Sequence, residues 1–224
     1  VTSTSAVLSG TVVTDNGAAI TERGFVWLKG SDAPTTSSNK VKVEGSTGDF
    51  TATLSDLDPN QKYSFRAYAV NSKGISYGET STFETEVALP SVEFTSCSDI
   101  TSSSATVSGK VTYHGGETVS EVGFLYGTTS DLDPSIASKV KSTYNGDSFS
   151  FTLSGLTKAQ DYYVQPFATN SAGTSYGESA KFTTLPDLPT VTTNDVTDIT
   201  DNSAVSGGVI VDDGGGEILV KGLV

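Results

Sequence analysis

Short stretches of alternating apolar and polar residues recur along the chain. In "YSFRAYA", from Tyr63 to Ala69, every second residue falls on an apolar or aromatic face, while Ser, Arg and Tyr occupy the other face. In "KVKV", from Lys40 to Val43, lysines alternate with valines, a pattern typical of an edge strand protected by charge. No stretch of ten residues or more has the apolar spacing of a helix. The pattern therefore predicts an all-β chain built from many short strands.

This strand pattern repeats with a period of 99 residues. The stretches "TSTSAVLSGTVV", "TSSSATVSGKVT" and "TDNSAVSGGVIV" begin at Thr2, Thr101 and Thr200. Nine residues in the later part of the first copy recur 99 positions further on: Leu57, Tyr63, Ala69, Asn71, Gly74, Tyr77, Gly78, Glu79 and Phe83. Such self-similarity predicts structural units that fold in the same way.

The repeat divides the chain into three parts, with boundaries near 87/88 and 186/187. Residues 1–87 form a first repeat without its first strand, residues 88–186 form a complete second repeat, and residues 187–224 form the beginning of a third. The closing "KGLV" aligns with "RGFV" of the first repeat, so we expect the third copy to end inside a strand. About seven short strands in a unit of about 100 residues predict a two-sheet β-sandwich.

A longer spacing motif is more specific than the alternation. The pattern Leu-x5-Tyr-x5-Ala-x-Asn-x2-Gly begins at Leu57 and again at Leu156. It resembles the fibronectin type III domain, and the surrounding sequence resembles the fibronectin-type repeats of bacterial surface proteins. The resemblance implies tandem immunoglobulin-like β-sandwiches in which Tyr63 and Tyr162 form tyrosine corners. Their hydroxyls would bond to backbone just upstream, and the two leucines would pack under the rings.

Two features depart from that family. The tryptophan expected in strand B is absent, and the small residues Gly10 and Gly109 stand in that stretch. We expect Trp27 in the first repeat and Tyr126 in the second to fill the volume. Pro166 lies inside the predicted strand F, and because proline cannot donate to a ladder, we expect a bulge or a lost hydrogen bond there.

Composition and net charge limit the kinds of partner and environment that suit the chain. The chain of 224 residues has 26 acidic and 13 basic side chains, so its net charge of −13 argues against nucleic acid as a partner. No apolar run approaches the roughly 18 residues of a membrane span. No leader is recognisable and the chain contains no methionine, so we expect either a mature fragment or a trimmed piece of a longer protein. Cys97 is the only cysteine, so we expect neither a disulfide framework nor a zinc cluster.

No catalytic constellation is apparent. His114 is the only histidine and lies in the turn "YHGGE", where a solvated turn residue is the simpler interpretation. The acidic turns "VDDGGGE" and "SDLDPS" lack the spacing of an EF-hand, and Asp-Gly clusters are ordinary turn formers. We therefore predict that the chain is not an enzyme and holds no metal and no cofactor.

Aromatic residues on the outward face of the sheet are the candidate ligand surface. Tyr68, Tyr163 and Phe167 should point away from the core in strand F, and Tyr77 and Tyr176 stand close to strand G. A flat aromatic surface could stack on sugar rings or dock a protein. The competing interpretation is that the rings cover their own sheet or pack on the neighbouring unit.

These observations favour a non-enzymatic spacer, scaffold or adhesive stalk on an extracellular bacterial surface. The alternative is a carbohydrate-binding module associated with polysaccharide capture or degradation. The partner would be a protein or a glycan at the cell surface. Since the first repeat lacks its first strand, strand B would present a bare edge, and we expect self-association through the incomplete third repeat by strand exchange onto such an edge. The alternative is that the third repeat packs closely on the second repeat of the same chain.

Overall fold

The computed structural model describes residues 1–144 and 146–224, and the chain is all-β. The described residues form 17 strands and no helix. By internal contacts they divide into two compact units. One unit comprises Val1–Leu89, His114–Thr118 and Asn170–Gly173, and the other comprises Pro90–Tyr113, Val119–Thr169 and Thr174–Val224.

The first repeat folds into two antiparallel sheets. Its strands are β1 (Ala6–Val12), β2 (Glu22–Lys29), β3 (Asn39–Val43), β4 (Gly48–Leu54), β5 (Lys62–Asn71), β6 (Gly74–Tyr77) and β7 (Ser81–Glu84). The smaller sheet pairs β1 with β4, and the larger sheet has the order β3-β2-β5-β6, with β7 also pairing β5. Strand G of the sandwich is therefore interrupted between β6 and β7.

The second repeat has the same arrangement with one strand more. Its strands are β8 (Ser91–Ser98), β9 (Ser104–Tyr113), β10 (Glu121–Gly127), β11 (Ser138–Ser142), β12 (Ser148–Ser154), β13 (Asp161–Asn170), β14 (Gly173–Tyr176) and β15 (Ala180–Thr183). The smaller sheet has the order β12-β9-β8, and the larger sheet has the order β11-β10-β13-β14, with β15 also pairing β13. Strand β8 is the extra strand, and the first repeat has no counterpart of it.

The core of each repeat lies between its two sheets. In the second repeat, Val107 and Val111 of β9 face Val122 and Phe124 of β10 across that space, and all four side chains are buried. The first repeat has a smaller core around Phe25, whose ring centroid lies 4.8 Å from that of Phe50. The alternation along each strand places these apolar residues on one face. The predicted fold class, tandem immunoglobulin-like β-sandwiches, is confirmed.

The third part of the chain contains one strand pair, β16 (Thr190–Thr193) with β17 (Gly208–Asp212). Its register, including a shift between Thr190 and Val191, repeats that of β8 with β9 99 residues earlier. Residues 213–224 are in no strand, so the strand predicted at "KGLV" is absent. The equivalent strands β2 and β10 are paired on both sides, and the described third part supplies neither neighbour.

The predicted boundaries fall in the connections between sheets. The one near 87/88 lies between β7 and β8, and the one near 186/187 lies between β15 and β16. The exact limits of the repeats stay a prediction.

Of the two alternatives expected at Pro166, the bulge does not occur. The register of β10 with β13 is continuous through the pair Phe124–Pro166, without a bulge. The carbonyl oxygen of Pro166 accepts a hydrogen bond from Gly177 N (2.9 Å). Because the N and O of one strand residue point to the same edge, the nitrogen of Pro166 faces the gap between β14 and β15. A residue without an N–H is tolerated at that gap.

The volume opposite the strand B glycines is filled differently from the prediction. The ring nearest to Gly10 is that of Phe25, at 3.2 Å from an added Cβ, and the ring nearest to Gly109 is that of Phe149, at 2.7 Å. Trp27 instead lies edge-on to Tyr63, with ring centroids 5.8 Å apart. Phenylalanine rings of the core already occupy the space opposite both glycines, so no larger ring is needed there.

Candidate functional site

The predicted ligand surface lies on the face of the larger sheet that is turned away from the core. The outer-face cluster of the first repeat consists of Glu22, Val26, Lys40, Lys42, Arg66, Tyr68 and Tyr77. The equivalent cluster of the second repeat consists of Glu121, Leu125, Lys139, Lys141, Gln165, Phe167 and Tyr176. Residues paired directly across antiparallel strands share a face, which is why the register brings these side chains together.

A glutamate and two lysines form a ladder across each outer face. Glu22 Oε1 lies 3.1 Å from Lys40 Nζ, and its Oε2 lies 2.5 Å from Lys42 Nζ. Lys42, the Tyr68 hydroxyl and Lys40 together lower the pKa of Glu22 from 4.5 to about 2. The carboxylate therefore stays charged under all but strongly acidic conditions.

The second repeat has the same ladder. Glu121 lies 2.9 Å from Lys139 Nζ and 2.5 Å from Lys141 Nζ. Hydrogen bonds from Lys141 and Lys139 lower the pKa of Glu121. The sequence-based search missed both ladders, although the recurrence of one glutamate and two lysines at the 99-residue spacing would have revealed them.

The ring of Tyr68 is buried under its ladder and is not an exposed stacking surface. Its relative exposure is 2%, and its hydroxyl donates to Glu22 Oε1 (2.7 Å). The pKa of the Tyr68 hydroxyl is raised, mainly by burial and secondly by this hydrogen bond to Glu22. Val26 is fully buried on the same face, between its register partners Lys40 and Arg66, whose aliphatic stems can cover it.

Phe167 occupies the position of Tyr68 in the second repeat and is also buried, with 0% exposure. The ammonium group of Lys139 lies 4.2 Å from the centre of its ring, a cation–π contact. Lys139 thus contacts both Glu121 and Phe167 and covers the face. The prediction that Tyr68 and Phe167 belong to an exposed ligand surface is corrected here, because charged side chains of the same sheet cover both rings.

The other three aromatic candidates are more accessible. Tyr77 is half-buried, with its hydroxyl accepting from Thr36 N (3.0 Å) and its ring 4.6 Å from the guanidinium carbon of Arg66. Tyr176 is 40% exposed, with its ring centroid 6.4 Å from that of Phe167. Tyr163 is half-buried and pairs in register with Lys181. Tyr77 belongs to the first repeat, whereas Tyr163 and Tyr176 belong to the second. Within the second repeat, Tyr176 lies beside the buried Phe167 and Tyr163 lies beside Lys181.

Each corner tyrosine is held by one backbone hydrogen bond. Asp58 N donates to the Tyr63 hydroxyl (2.9 Å), and Thr157 N donates to the Tyr162 hydroxyl (2.9 Å). Both bonds span five residues, and both rings are buried. Leu57 and Leu156 are buried in the same two cores. The hydroxyl oxygen acts as the acceptor, so a backbone N–H depends on it.

The remaining candidates, His114, Asp212 and Cys97, all make contacts that belong to the fold. His114 is half-buried, and its carbonyl oxygen accepts from Asn170 Nδ2 (3.0 Å). Asp212 accepts from Lys158 Nζ (2.5 Å) and from Gly214 N (2.8 Å), and these bonds lower its pKa. Cys97 is half-buried against the core of the second repeat, and burial raises its pKa. Within residues 1–144 and 146–224, no group of three or more His, Cys, Asp or Glu side chains could hold a metal ion.

The topology defines the class of protein as a tandem array of immunoglobulin-like β-sandwiches. No protein-family model matches the chain, and no curated protein matches it. Among solved structures it is similar to the FN1–FN3 domains of chicken CNTN1, at 16% sequence identity and a TM-score of 0.35. The match covers 82% of this chain and 61% of that one. The described residues contain no helix long and apolar enough to cross a membrane.

Proposed function

We propose that the chain is a non-enzymatic β-sandwich array that acts as a spacer, scaffold or adhesive stalk on the outer surface of a bacterial cell. The observation that carries this proposal is the recurrence of the covered outer face in both repeats. In each, one glutamate and two lysines form a ladder over a sheet whose central ring is buried. A face covered in this way suits a unit that is repeated to set a distance rather than to stack on a ligand.

The charge and chemistry of the chain support the same function. A net charge of −13 favours solubility of an array exposed to the surroundings of a cell. The single cysteine is a half-buried side chain against the second core, consistent with a part that does not depend on thiol chemistry. The partner at the end of such a stalk would be a protein or a glycan of the cell surface.

Antibody labelling of the organism that produces the chain tests the location. An antibody raised against the purified chain should stain intact cells as strongly as permeabilised cells. Staining that requires permeabilisation would contradict the surface proposal. A cytoplasmic marker antibody, which must stain only permeabilised cells, is the control for membrane integrity.

Glycan binding is the outcome that would favour the alternative function. The purified chain is applied to a glycan array and titrated with plant and host polysaccharides, and we expect no saturable binding. Saturable binding that disappears when Tyr163 and Tyr176 are changed to Ala would replace the spacer proposal with a carbohydrate-binding module. Tyr113→Ala is the matched control, because Tyr113 is similarly exposed, at 42%, but lies at the end of β9 in the smaller sheet.

A further inference from the structure

The connecting segment between β7 and β8, residues 85–90, is hydrogen-bonded to the rest of the fold. Thr85 N donates to the carbonyl oxygen of Gln61 (3.0 Å), and the carbonyl oxygen of Glu86 accepts from Asn60 N (3.1 Å). These bonds tie the start of the segment to the turn between β4 and β5. A connection between repeated domains is by default a mobile linker, so this bonding requires an explanation.

Ala88, in the middle of the connecting segment, is held through both of its backbone groups. Ala88 N donates to the carbonyl oxygen of Gly115 (2.9 Å), and the carbonyl oxygen of Ala88 accepts from Asn170 Nδ2 (2.8 Å). Asn170 is buried, so its amide group depends on this acceptor. Both partners lie in stretches of the second repeat, residues 114–118 and 170–173, that belong to the first compact unit. The first compact unit therefore includes the turns that hold Ala88.

Two consecutive glycines allow the close contact at Ala88. Gly115 has a φ of 78° and Gly116 a φ of 88°, a conformation that favours glycine. A Cβ added at Gly115 would lie 1.9 Å from the carbonyl oxygen of Ala88, and one added at Gly116 would lie 2.6 Å from that of Pro59. The carbonyl oxygen of Gly116 also accepts from Asn60 Nδ2 (2.9 Å). Because neither glycine carries a side chain, the glycine turn contacts both the connecting segment and the turn that precedes β5.

The connection that follows the second repeat has the same arrangement. Asp187 N donates to the carbonyl oxygen of Gly214 (2.8 Å), and a Cβ added at Gly214 would lie 2.0 Å from the carbonyl oxygen of Asp187. Gly214 and Gly215 have φ values of 77° and 81°. A Cβ added at Gly215 would lie 2.6 Å from the Cβ of Ala159, the counterpart of Asn60. The backbone contacts recur although the side chains differ, so the contact is made by the glycine turn itself.

We propose that the glycine turn is a clamp that holds the connecting segment before it in one backbone conformation. The inference rests on the proposed spacer function, because a spacer sets a distance only if its connections keep a defined length. A free segment samples many end-to-end distances. A segment bonded at Thr85, Glu86 and Ala88 does not have that freedom.

Hydrogen exchange at the Ala88 amide, followed by NMR of the isotope-labelled full chain, tests the clamp. We expect exchange about a hundredfold or more slower than in a free peptide, because the amide opens only when the clamp opens. Gly115→Ala should speed this exchange by about tenfold or more, since the methyl group displaces Ala88. Gly155→Ala is the matched control, because Gly155 has a φ of 71° and no atom lies within 4 Å of an added Cβ. The two variants share the strain of a positive φ and differ in the contact.

Asn60→Gly is a second variant, and it preserves the turn that the clamp contacts. Asn60 has a φ of 52°, which glycine adopts without strain, so the change removes the side-chain hydrogen bond to Gly116. Exchange at Ala88 should rise by about two- to tenfold. Thermolysin cleavage before Leu89, which is 49% exposed, should increase in the same order, from the parent chain to Asn60→Gly to Gly115→Ala. Fluorescence of Trp27, the only tryptophan, shows whether the first repeat of each variant is folded.

Three results would overturn the proposal. The first is exchange at the Ala88 amide of the parent chain as fast as in a free peptide. The second is an equal effect of Gly115→Ala and Gly155→Ala in folded chains, and the third is an unchanged Ala88 rate in Asn60→Gly. All three are measured on the purified chain, whereas the surface location is tested on intact cells. A mobile connection in a chain that stains on intact cells would remove the clamp alone, and a protected Ala88 in a chain that does not would remove the location alone.

Discussion

At the scale of single residues, the two corner tyrosines are the positions where one atom supports a whole crossover. The hydroxyl of Tyr63 accepts the N–H of Asp58, and that of Tyr162 accepts the N–H of Thr157. A buried N–H that loses its acceptor has given up its hydrogen bond to water and forms none in the protein, which destabilises the folded state. The ring itself would remain packed, so the hydroxyl can be tested separately from the apolar contacts.

Tyr63→Phe should lower the free energy of unfolding of the first repeat by about 1–3 kcal/mol. The reason is the unpaired N–H of Asp58. Trp27 reports this change, because its ring centroid lies 5.8 Å from that of Tyr63. Urea unfolding followed by Trp27 fluorescence measures it, with Tyr113→Phe at an exposed position as the control. An unchanged midpoint would mean that this hydrogen bond does not support the crossover.

At the scale of elements, the pairing of strands β10 and β11 depends on a glycine. A Cβ added at Gly123 would lie 2.0 Å from the carbonyl oxygen of Val140 and 2.8 Å from the ring of Phe167. In the first repeat, a Cβ at Gly24 would lie 2.0 Å from the carbonyl oxygen of Val41. The backbone atoms cannot move without breaking the ladder, so both repeats require the smallest residue at this point.

Gly123→Ala should destabilise the second repeat by about 1–3 kcal/mol or more, since the added methyl group overpacks a strand pair. Thermal unfolding followed by circular dichroism measures the loss. Gly222→Ala is the matched control, because no atom lies within 4 Å of a Cβ added there. Equal melting temperatures for the two variants would show that β10 and β11 can separate without cost.

The outer-face ladder gives the first repeat a dependence on pH. An unfolded glutamate titrates near pH 4.3, whereas Lys42, Tyr68 and Lys40 hold the pKa of Glu22 at about 2 in the folded chain. A lowered pKa means that the folded state binds the proton later than the unfolded state. The stabilisation from the ladder is therefore fully present above about pH 4.3 and is lost as the pH falls toward about 2.

Glu22→Gln should make the first repeat less stable at neutral pH, and the difference from the parent chain should disappear as the pH falls toward about 2. Urea unfolding followed by Trp27 fluorescence at a series of pH values measures both effects. Glu121→Gln changes the equivalent ladder of the second repeat and should leave the Trp27 transition close to that of the parent chain. A constant difference at all pH values would exclude ionisation of Glu22 as the cause.

At the scale of the whole molecule, the same strand pair occurs in two surroundings. Strands β8 and β9 and strands β16 and β17 share one register and one register shift. Val92 of β8 is 8% exposed, whereas its counterpart Val191 of β16 is 65% exposed. The two pairs share the same backbone hydrogen-bond register, so the register does not distinguish them. They differ in burial, because the first pair covers a core and the second does not.

Amides of β16 should exchange with solvent much faster than amides of β8 in dilute solution, because the marginal pair opens without disturbing a core. Hydrogen exchange followed by mass spectrometry of peptides from the two strands measures the difference. Protection of β16 that grows with protein concentration would accompany self-association. Equal protection of both strands in dilute solution would contradict the assignment of β16 and β17 as an isolated pair.

The sequence by itself was sufficient for the architecture. The period of two in hydrophobicity determines which side chains can face a core, and the 99-residue repeat shows that the same sandwich recurs. The Leu-x5-Tyr spacing carries the resemblance to the fibronectin type III domain, and that resemblance implied that the hydroxyls of Tyr63 and Tyr162 bond to upstream backbone. These features depend on contacts close in sequence or on the direction in which a strand turns its side chains, and both can be inferred from the order of residues.

Only the tertiary structure decided which outward residues are exposed. Alternation places Tyr68 and Phe167 on the outer face, but their burial depends on Glu22, Lys40 and Lys139, which lie on other strands. The register between distant strands brings these side chains together, and no local pattern contains that register.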